Sequence, residues 1–270
     1  MQKAITDTHC HLASSQFSED LEEVVRRSEE AGVRRMVTIG TDLLDSRKCV
    51  EIAHEFSGVH ATVGVHPCSV FDVQDEDWLS QLCQLANDPR VVALGEMGLD
   101  YFHPPPDGIS VEDYRAHQKD FFRKQLELAA ETNLNVVVHQ RDRGDQCWSD
   151  LLEIVAPFAG RVRAVFHCFS HPWEEAAKVT GDGHLISFTG IATFKNARVV
   201  QECVKMASPG AFMLETDAPY LAPEPHRGRR CEPAFAADTF GGIAKIRGES
   251  EDTLARHIEE TVDSFFRFHR

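Results

Sequence analysis

Two histidines one residue apart, His9 and His11, end an alternating stretch at residues 3–11. Side chains two residues apart on a strand point to the same face, so we expect Asp7, His9 and His11 to share one side. Two imidazoles on one face supply half of a divalent-metal site. A chain with 14 histidines contains about one such pair by chance, so the pair indicates a metal only if other ligands join it.

The candidate partners of this pair follow short apolar segments further along the chain. Each segment runs into a histidine or a carboxylate, and these residues are His66, Glu96, His139, His167 and Asp217. In a barrel of parallel strands, catalytic groups gather at the carboxyl ends of the strands. We therefore expect the side chains to converge on one rim, and their joint placement is the strongest functional signal in the sequence.

Buried strands and amphipathic helices must alternate to position these residues. Seven runs rich in Val, Ile and Phe follow the first strand, at 33–39, 59–65, 91–94, 135–138, 162–166, 184–188 and 211–214. They lack strict alternation, as strands covered on both faces do. Helical patterns occur between and after them, for example at 19–31, 78–87, 114–132, 147–155, 234–246 and 250–268. Eight strand–helix units predict an α/β fold, a single-domain (β/α)8 TIM barrel over residues 1–270.

The composition limits the class of protein. A length of 270 residues suits one barrel, which typically has about 250. No apolar run approaches the ~18 residues of a membrane span, and no signal peptide is expected. Eight scattered cysteines without a C-x-x-C pair indicate reduced thiols and a cytoplasmic protein, and no obligate protein partner is evident. The formal charge of −15 argues against a broad basic surface for nucleic acid, although a local basic patch or bound cations can still serve such a substrate.

The predicted ligands indicate hydrolysis. Four histidines and two carboxylates suit two divalent cations about 3.5–4 Å apart, which lower the pKa of water. Glu96 is the candidate bridge, because its strand lies between the pair at strand one and the histidines of strands five and six. Asp217 is the candidate ligand that also accepts a proton from the attacking water. The predicted cofactors are therefore two ions of Mg²⁺, Mn²⁺ or Zn²⁺, with Glu96 and Asp217 as the catalytic residues.

Six segments carry these residues in a recognisable order. They read DTHCHL at 7–12, GVHP at 64–67, GEMGLDY at 95–101, VHQRD at 138–142, FHCFS at 166–170 and ETDAPYLAP at 215–223. The set resembles the TatD family of metal-dependent deoxyribonucleases, a branch of the amidohydrolase-like barrels, over essentially the whole chain. The resemblance implies metal ligands at His9, His11, Glu96, His139, His167 and Asp217. It also implies that His66 lies on the substrate side.

The chain departs from the usual family pattern at Gln140, His171, Ala218 and Cys231. None of these departures removes a predicted metal ligand. They bear on substrate preference rather than on the reaction.

The predicted function is hydrolysis of phosphodiester bonds in DNA, either single-stranded or at duplex ends, by an exonuclease. Arg141 is the candidate substrate-binding cation, and the arginines at 227, 229 and 230 are further candidate phosphate contacts, which favours a phosphodiester.

Two alternatives remain open. The same ligands would serve a metal-dependent ester or acyl hydrolase such as a D-aminoacyl-tRNA deacylase, because activated water attacks phosphorus and carbonyl carbon alike. A non-catalytic binding protein on the same fold is the third interpretation, and it predicts no bound metal.

Overall fold

Eight parallel strands, hydrogen-bonded in chain order, form the central sheet of the computed structural model, which describes residues 4–268. The strands are β1 (Ile5–Cys10), β2 (Val33–Thr38), β3 (Val59–Val63), β4 (Val91–Asp100), β5 (Asn135–Arg141), β6 (Ala164–Phe166), β7 (Leu185–Phe188) and β8 (Phe212–Leu214). The predicted TIM barrel is confirmed. The start of the predicted first strand, residue 3, lies outside the described residues.

Helices cover the outside of the sheet. They are α1 (Leu21–Glu30), α2 (Leu43–Glu55), α3 (Trp78–Ala86), α4 (Val111–Thr132), α5 (Gln146–Val155), α6 (Trp173–Gly181), α7 (Arg198–Met206), α8 (Ala236–Arg247) and α9 (Glu251–Phe266). The first seven each connect two successive strands, and the last two follow β8. Within residues 4–268, no helix combines the length and the apolar composition that crossing a bilayer requires.

Helix α4 begins and ends at clear local signals. The Ser110 hydroxyl accepts a hydrogen bond from the Asp113 backbone N–H at 3.0 Å, and Glu112 and Asp113 place negative charge in the first turn. Asn133 ends the helix in the left-handed conformation, with φ of 54°. The helix is therefore well defined at both ends, and its buried face can position the strands next to it.

Two buried glutamines of α4 pair with backbone at the site end of the barrel. Gln118 accepts from the Asp100 N–H at 2.9 Å and donates to the Asp100 carbonyl at 3.0 Å. Gln125 does the same for Val65, at 2.8 and 3.0 Å. Backbone groups that lack a neighbouring strand are satisfied in this way, as buried polar groups must be.

Strands β4 and β5 are longer than the sequence pattern indicated. They continue to Asp100 and Arg141, beyond the predicted ends at 94 and 138, and Gly98 lies opposite His139 in their register. Glycines and polar residues hide this extension, because they interrupt the apolar run that identifies a buried strand. As a result, Glu96 and His139 lie inside two paired strands rather than in loops.

The barrel closes between β1 and the segment that follows β8. Asp217 donates its backbone N–H to the His9 carbonyl at 2.8 Å, and His11 donates to the Ala218 carbonyl at 2.7 Å. The Asp7 carboxylate accepts the Thr216 N–H at 2.9 Å and the Thr216 hydroxyl at 2.6 Å. We call these contacts the closing seam. It places Asp217 beside the histidines of β1.

Gly98 tests whether the close approach of β4 and β5 is required. Its φ is 139°, and a Cβ there would collide with the His139 carbonyl. We expect Gly98→Ala to lower the free energy of unfolding by at least about 3 kcal/mol, as strain and overpacking add. Gly183→Ala is the control, since Gly183 also has positive φ but open space around its Cβ position, and should cost about 1 kcal/mol. Urea denaturation measures both, and equal losses would contradict the proposed contact.

Candidate metal centre

The buried carboxylate of Glu96 lies at the centre of the rim, with histidines on both of its oxygens. Oε1 is 2.7 Å from His139 Nδ1 and 2.9 Å from His167 Nε2. Oε2 is 3.5 Å from His9 Nε2 and 3.9 Å from His11 Nε2. The side chains of β1, β4 and β5 and the residue that follows β6 thus meet at one group, as the sequence predicted.

The first ligand group joins His9, His11 and Asp217 to Oε2 of Glu96. The two Nε2 atoms are 3.3 Å apart, and Asp217 Oδ1 lies 3.6 Å from His9 Nε2 and 3.3 Å from His11 Nε2. Ligands about 2.1 Å from a tetrahedral ion lie about 3.4 Å from one another. Four nitrogen and oxygen donors at this spacing fit a divalent cation.

The second ligand group joins His139 and His167 to Oε1 of Glu96. The nitrogens of the two histidines are 3.2 Å apart. His66 lies at the edge of the group, with its Nε2 3.6 Å from the same oxygen. His139 places one ring nitrogen against Glu96 and the other 3.2 Å from Asp100 Oδ2, so in this geometry it donates from both. Its Nδ1, which faces both Glu96 and His167, is the nitrogen available to a cation.

The charges of the site are consistent with cation binding. Burial raises the pKa of Glu96, but the charge of His167 and the hydrogen bonds from His139 and His167 outweigh it and hold that pKa well below its usual range. Burial also opposes ionisation of Asp217, yet the hydrogen bond from His11 and the charge of His9 keep its pKa low. Both carboxylates are therefore ionised, which is the form that binds metal.

Two further carboxylates lie behind the ligand histidines. Asp100 Oδ2 contacts His139 as described, and Glu215 Oε1 lies 3.7 Å from His167 Nδ1. Glu215 is itself fixed by the Cys168 N–H and the Ser187 hydroxyl, both at 2.7 Å. Sequence reasoning did not assign roles to Asp100 and Glu215. The sequence signal that could have identified them is their spacing from predicted ligands. Asp100 lies an even number of residues beyond Glu96 on the same strand, and Glu215 lies two residues before Asp217.

Asp7 lies on β1 with His9 but serves the closing seam. Its oxygens bind Thr216 and the His9 N–H rather than facing the imidazole nitrogens. Burial raises its pKa to about 7. Its contribution is to hold β1 and the segment after β8 in register.

Of the two predicted substrate residues, His66 lies beside the ligands and Arg141 lies at the end of β5, two residues after His139. His66 accepts the Cys68 N–H on Nδ1 at 3.1 Å, and burial, followed by the nearby His139, lowers its pKa to about 3. It is therefore neutral, with its proton on Nε2. Arg141 is exposed at the end of β5, with its guanidinium 4.3 Å from the centre of the Phe102 ring. Arg143 lies 4.6 Å from that ring.

The arginine cluster after β8 does not behave as one phosphate site. Arg230 forms ion pairs with Asp20 at 2.7 Å and with Glu232 at 2.9 Å. Arg227 has its guanidinium 4.1 Å from the Phe194 ring centre and 3.9 Å from Glu224. Nearby carboxylates thus offset the charges of Arg227 and Arg230, whereas Arg229 and Arg141 are exposed.

The departures from the family pattern have structural partners. Gln140 accepts a hydrogen bond from His171 Nε2 at 2.7 Å, and the His171 ring stacks on Trp148 with the ring centres 4.4 Å apart. Ala218 and Cys231 are fully buried. Two of the four departures therefore form a pair at the rim, and two belong to the packing around the closing seam.

Asp100 tests the orientation of the ligands. Asp100→Asn replaces a charged acceptor of His139, and a lost outer partner typically weakens metal affinity about 10- to 100-fold. Isothermal titration with Mn²⁺ measures the change. Asp150→Asn is the control, because Asp150 accepts from Tyr101 at 2.7 Å and contacts none of the ligand histidines. Equal affinities in the wild type and Asp100→Asn would contradict the orienting role.

Comparison with known proteins agrees with the geometry. The family described as "TatD related DNase" matches residues 6–267. The chain is 35% identical to the uncharacterized metal-dependent hydrolase YabD of Bacillus subtilis, over 97% of this chain and 98% of that protein. It is 33% identical to the 3'-5' ssDNA/RNA exonuclease TatD of Klebsiella pneumoniae, over 96% and 97%. The solved structure of YJJV, a TatD homologue from Escherichia coli, superposes with a TM-score of 0.87 at 27% identity and 99% coverage of both chains. The chain belongs to the TatD family of metal-dependent hydrolases.

Proposed function

We propose that this protein is a two-metal exonuclease that hydrolyses phosphodiester bonds at the ends of DNA. The observation that carries the proposal is the shared carboxylate of Glu96, which presents one oxygen to each of two histidine groups. The relative from Klebsiella pneumoniae named for 3'-5' exonuclease activity supports single-stranded DNA or RNA as the substrate.

The ligand assignment follows the two groups. We assign one cation to His9, His11, Asp217 and Glu96, and the other to His139, His167 and Glu96. Mg²⁺, Mn²⁺ and Zn²⁺ can all bind a site that offers both nitrogen and oxygen ligands. The four imidazoles favour those of the three ions that are of borderline softness. Bound there, the cations supply Lewis acidity to the scissile phosphate and lower the pKa of the attacking water.

Asp217 is the group that accepts the proton of the attacking water. It is ionised, and its Oδ1 faces the first ligand group at 3.3 Å from His11 Nε2. Its backbone is fixed by the closing seam with φ of 60°, a left-handed conformation that costs about 1–2 kcal/mol in a residue other than glycine. A carboxylate held in this way needs little reorganisation to take a proton.

His66 and Arg141 bind the substrate. The Nε2–H of neutral His66 points to the centre, where it can donate a hydrogen bond to a phosphate oxygen. Arg141 and the ring of Phe102 offer a cation and an aromatic face on the same side of the rim. Phosphate contact and base stacking are the two interactions that hold single strands.

Histidine substitutions test the reaction. We expect His139→Ala and His167→Ala to abolish metal-stimulated cleavage, because each removes a ligand of the second group. A panel of single-stranded DNA, single-stranded RNA, duplex DNA, a small phosphodiester and aminoacyl-tRNA, with a chelator added in parallel, measures the activity. His54→Ala is the control, since His54 is exposed and pairs with Asp88 at 3.0 Å near the amino end of the barrel.

Three results of the panel would count against the proposal. Cleavage at the wild-type rate in either histidine variant would contradict the ligand assignment. Turnover of aminoacyl-tRNA without turnover of any phosphodiester would establish an acyl hydrolase instead. Cleavage that persists in the chelator would show that no cation takes part.

Salt dependence tests Arg141. Arg141→Ala should raise KM for single-stranded DNA and lower the slope of log KM against log salt by about 1, as the loss of one phosphate contact does. Arg161→Ala is the matched control, because Arg161 also stacks on a phenylalanine, with 5.0 Å to the Phe158 ring, but lies at the amino end of the barrel. Identical slopes in the wild type and Arg141→Ala would show that Arg141 does not contact phosphate.

A further inference from the structure

A second cluster of candidate metal ligands lies next to the candidate centre and shares only Asp100 with its surroundings. It consists of Cys68, Asp100 and His103, whose ligand atoms all lie within 4.8 Å of one another. Cys68 follows β3 in the short turn after His66, and His103 follows the end of β4. Neither residue has a role in the proposed hydrolysis, and a sulfur donor distinguishes this cluster from both groups around Glu96.

Two distances within the cluster can be compared with those around a tetrahedral ion. Cys68 Sγ is 3.7 Å from His103 Nδ1, and His103 Nδ1 is 2.8 Å from Asp100 Oδ2. Bond lengths of about 2.3 Å to sulfur and about 2.0 Å to nitrogen or oxygen give a sulfur–nitrogen edge of about 3.5 Å and a nitrogen–oxygen edge of about 3.3 Å. The observed sulfur–nitrogen distance is already close to the first of these values. The second requires the His103 ring to move by about half an ångström, and this ring is free enough to do so because its side chain is 46% exposed.

Asp100 is already held as a ligand would be. Its side chain is fully buried, and Oδ1 accepts the backbone N–H groups of Phe102 and His103, both at 2.9 Å. Oδ2 receives His103 on one side and His139 on the other, at 2.8 and 3.2 Å. A single carboxylate oxygen therefore links the cluster to a histidine of the candidate centre.

We propose that Cys68, Asp100 and His103 form a third cation site, for a zinc-like ion that accepts thiolate, and that Asp100 connects this site to His139. Three protein ligands leave one position of a tetrahedral ion for water. Binding releases the proton of the Cys68 thiol, whose pKa burial raises to about 12, while neutral His103 binds through Nδ1 and carries its proton on Nε2. The ion enters from the solvent side of His103. Mg²⁺ does not suit the site, because it avoids sulfur ligands.

The proposal does not depend on the exonuclease activity. It requires only that a thiolate joins an imidazole and a carboxylate around one ion. If the hydrolytic function were different, the sulfur donor would still be present, and its spectroscopic signature would still distinguish this site from the nitrogen and oxygen ligands around Glu96.

Cobalt is the probe, since Co²⁺ replaces Zn²⁺ and gives a strong near-ultraviolet charge-transfer band only when it is bound by thiolate. The full chain, kept reduced, is titrated with Co²⁺ while absorbance and bound metal are measured. We expect the wild type to show the thiolate band. We expect Cys68→Ser to lose the band and one equivalent of bound metal, and His103→Ala to weaken Co²⁺ binding at this site at least 10-fold.

Cys83→Ser is the matched control, because Cys83 is also a partly exposed cysteine but lies on α3, outside every cluster of candidate metal ligands found within residues 4–268. It should keep both the band and the metal content. A wild type without the band would show that the three residues are only a hydrogen-bonded group and would overturn the proposal. A band that survives in Cys68→Ser would also overturn it, by assigning the sulfur to another cysteine.

Discussion

The carboxylate of Glu96 is the group around which the site is organised. An ionised carboxylate in a buried position is costly unless positive charge and hydrogen bonds compensate for the lost water. Here His139 and His167 contact one oxygen at 2.7 and 2.9 Å, and His9 and His11 face the other. To compensate for the buried charge of Glu96 in this way, histidines from several strands must lie close to one point. A closed parallel barrel does this, because the carboxyl ends of its strands share one rim.

The geometry of the barrel in turn depends on two sets of backbone contacts near the site. Strands β4 and β5 approach closely enough that Gly98 has no room for a Cβ, which keeps Glu96 and His139 on paired strands. The seam between β1 and the segment after β8 is held by Asp7 and Thr216, which brings Asp217 to His9 and His11. Structural and functional roles overlap at these points. The left-handed backbone of Asp217 shows the same overlap, since the seam stabilises a conformation that the residue would not adopt alone.

The charge distribution of this acidic chain is uneven. The formal charge is −15, yet the rim beside the candidate centre presents Arg141 and Arg143 against Phe102. The arginine at 230, by contrast, is held by Asp20 and Glu232 and stabilises the packing between the segment after β8 and α1. The number of arginines near a motif is therefore a poor guide to phosphate binding. Their partners decide which of them remain available to a substrate.

The sequence by itself determined the barrel, its eight strands and the convergence of His9, His11, Glu96, His139, His167 and Asp217. It could do so because apolar periodicity and the rule that barrel sites lie at strand ends are local signals. Only the tertiary structure decided that β4 and β5 extend through the site, that Asp100 and Glu215 lie behind His139 and His167, and that Asp7 serves the seam. These features depend on contacts between residues far apart in the chain. Cys68 and His103 likewise become a candidate site only because β3 and β4 lie side by side, a proximity that no spacing within the chain reveals.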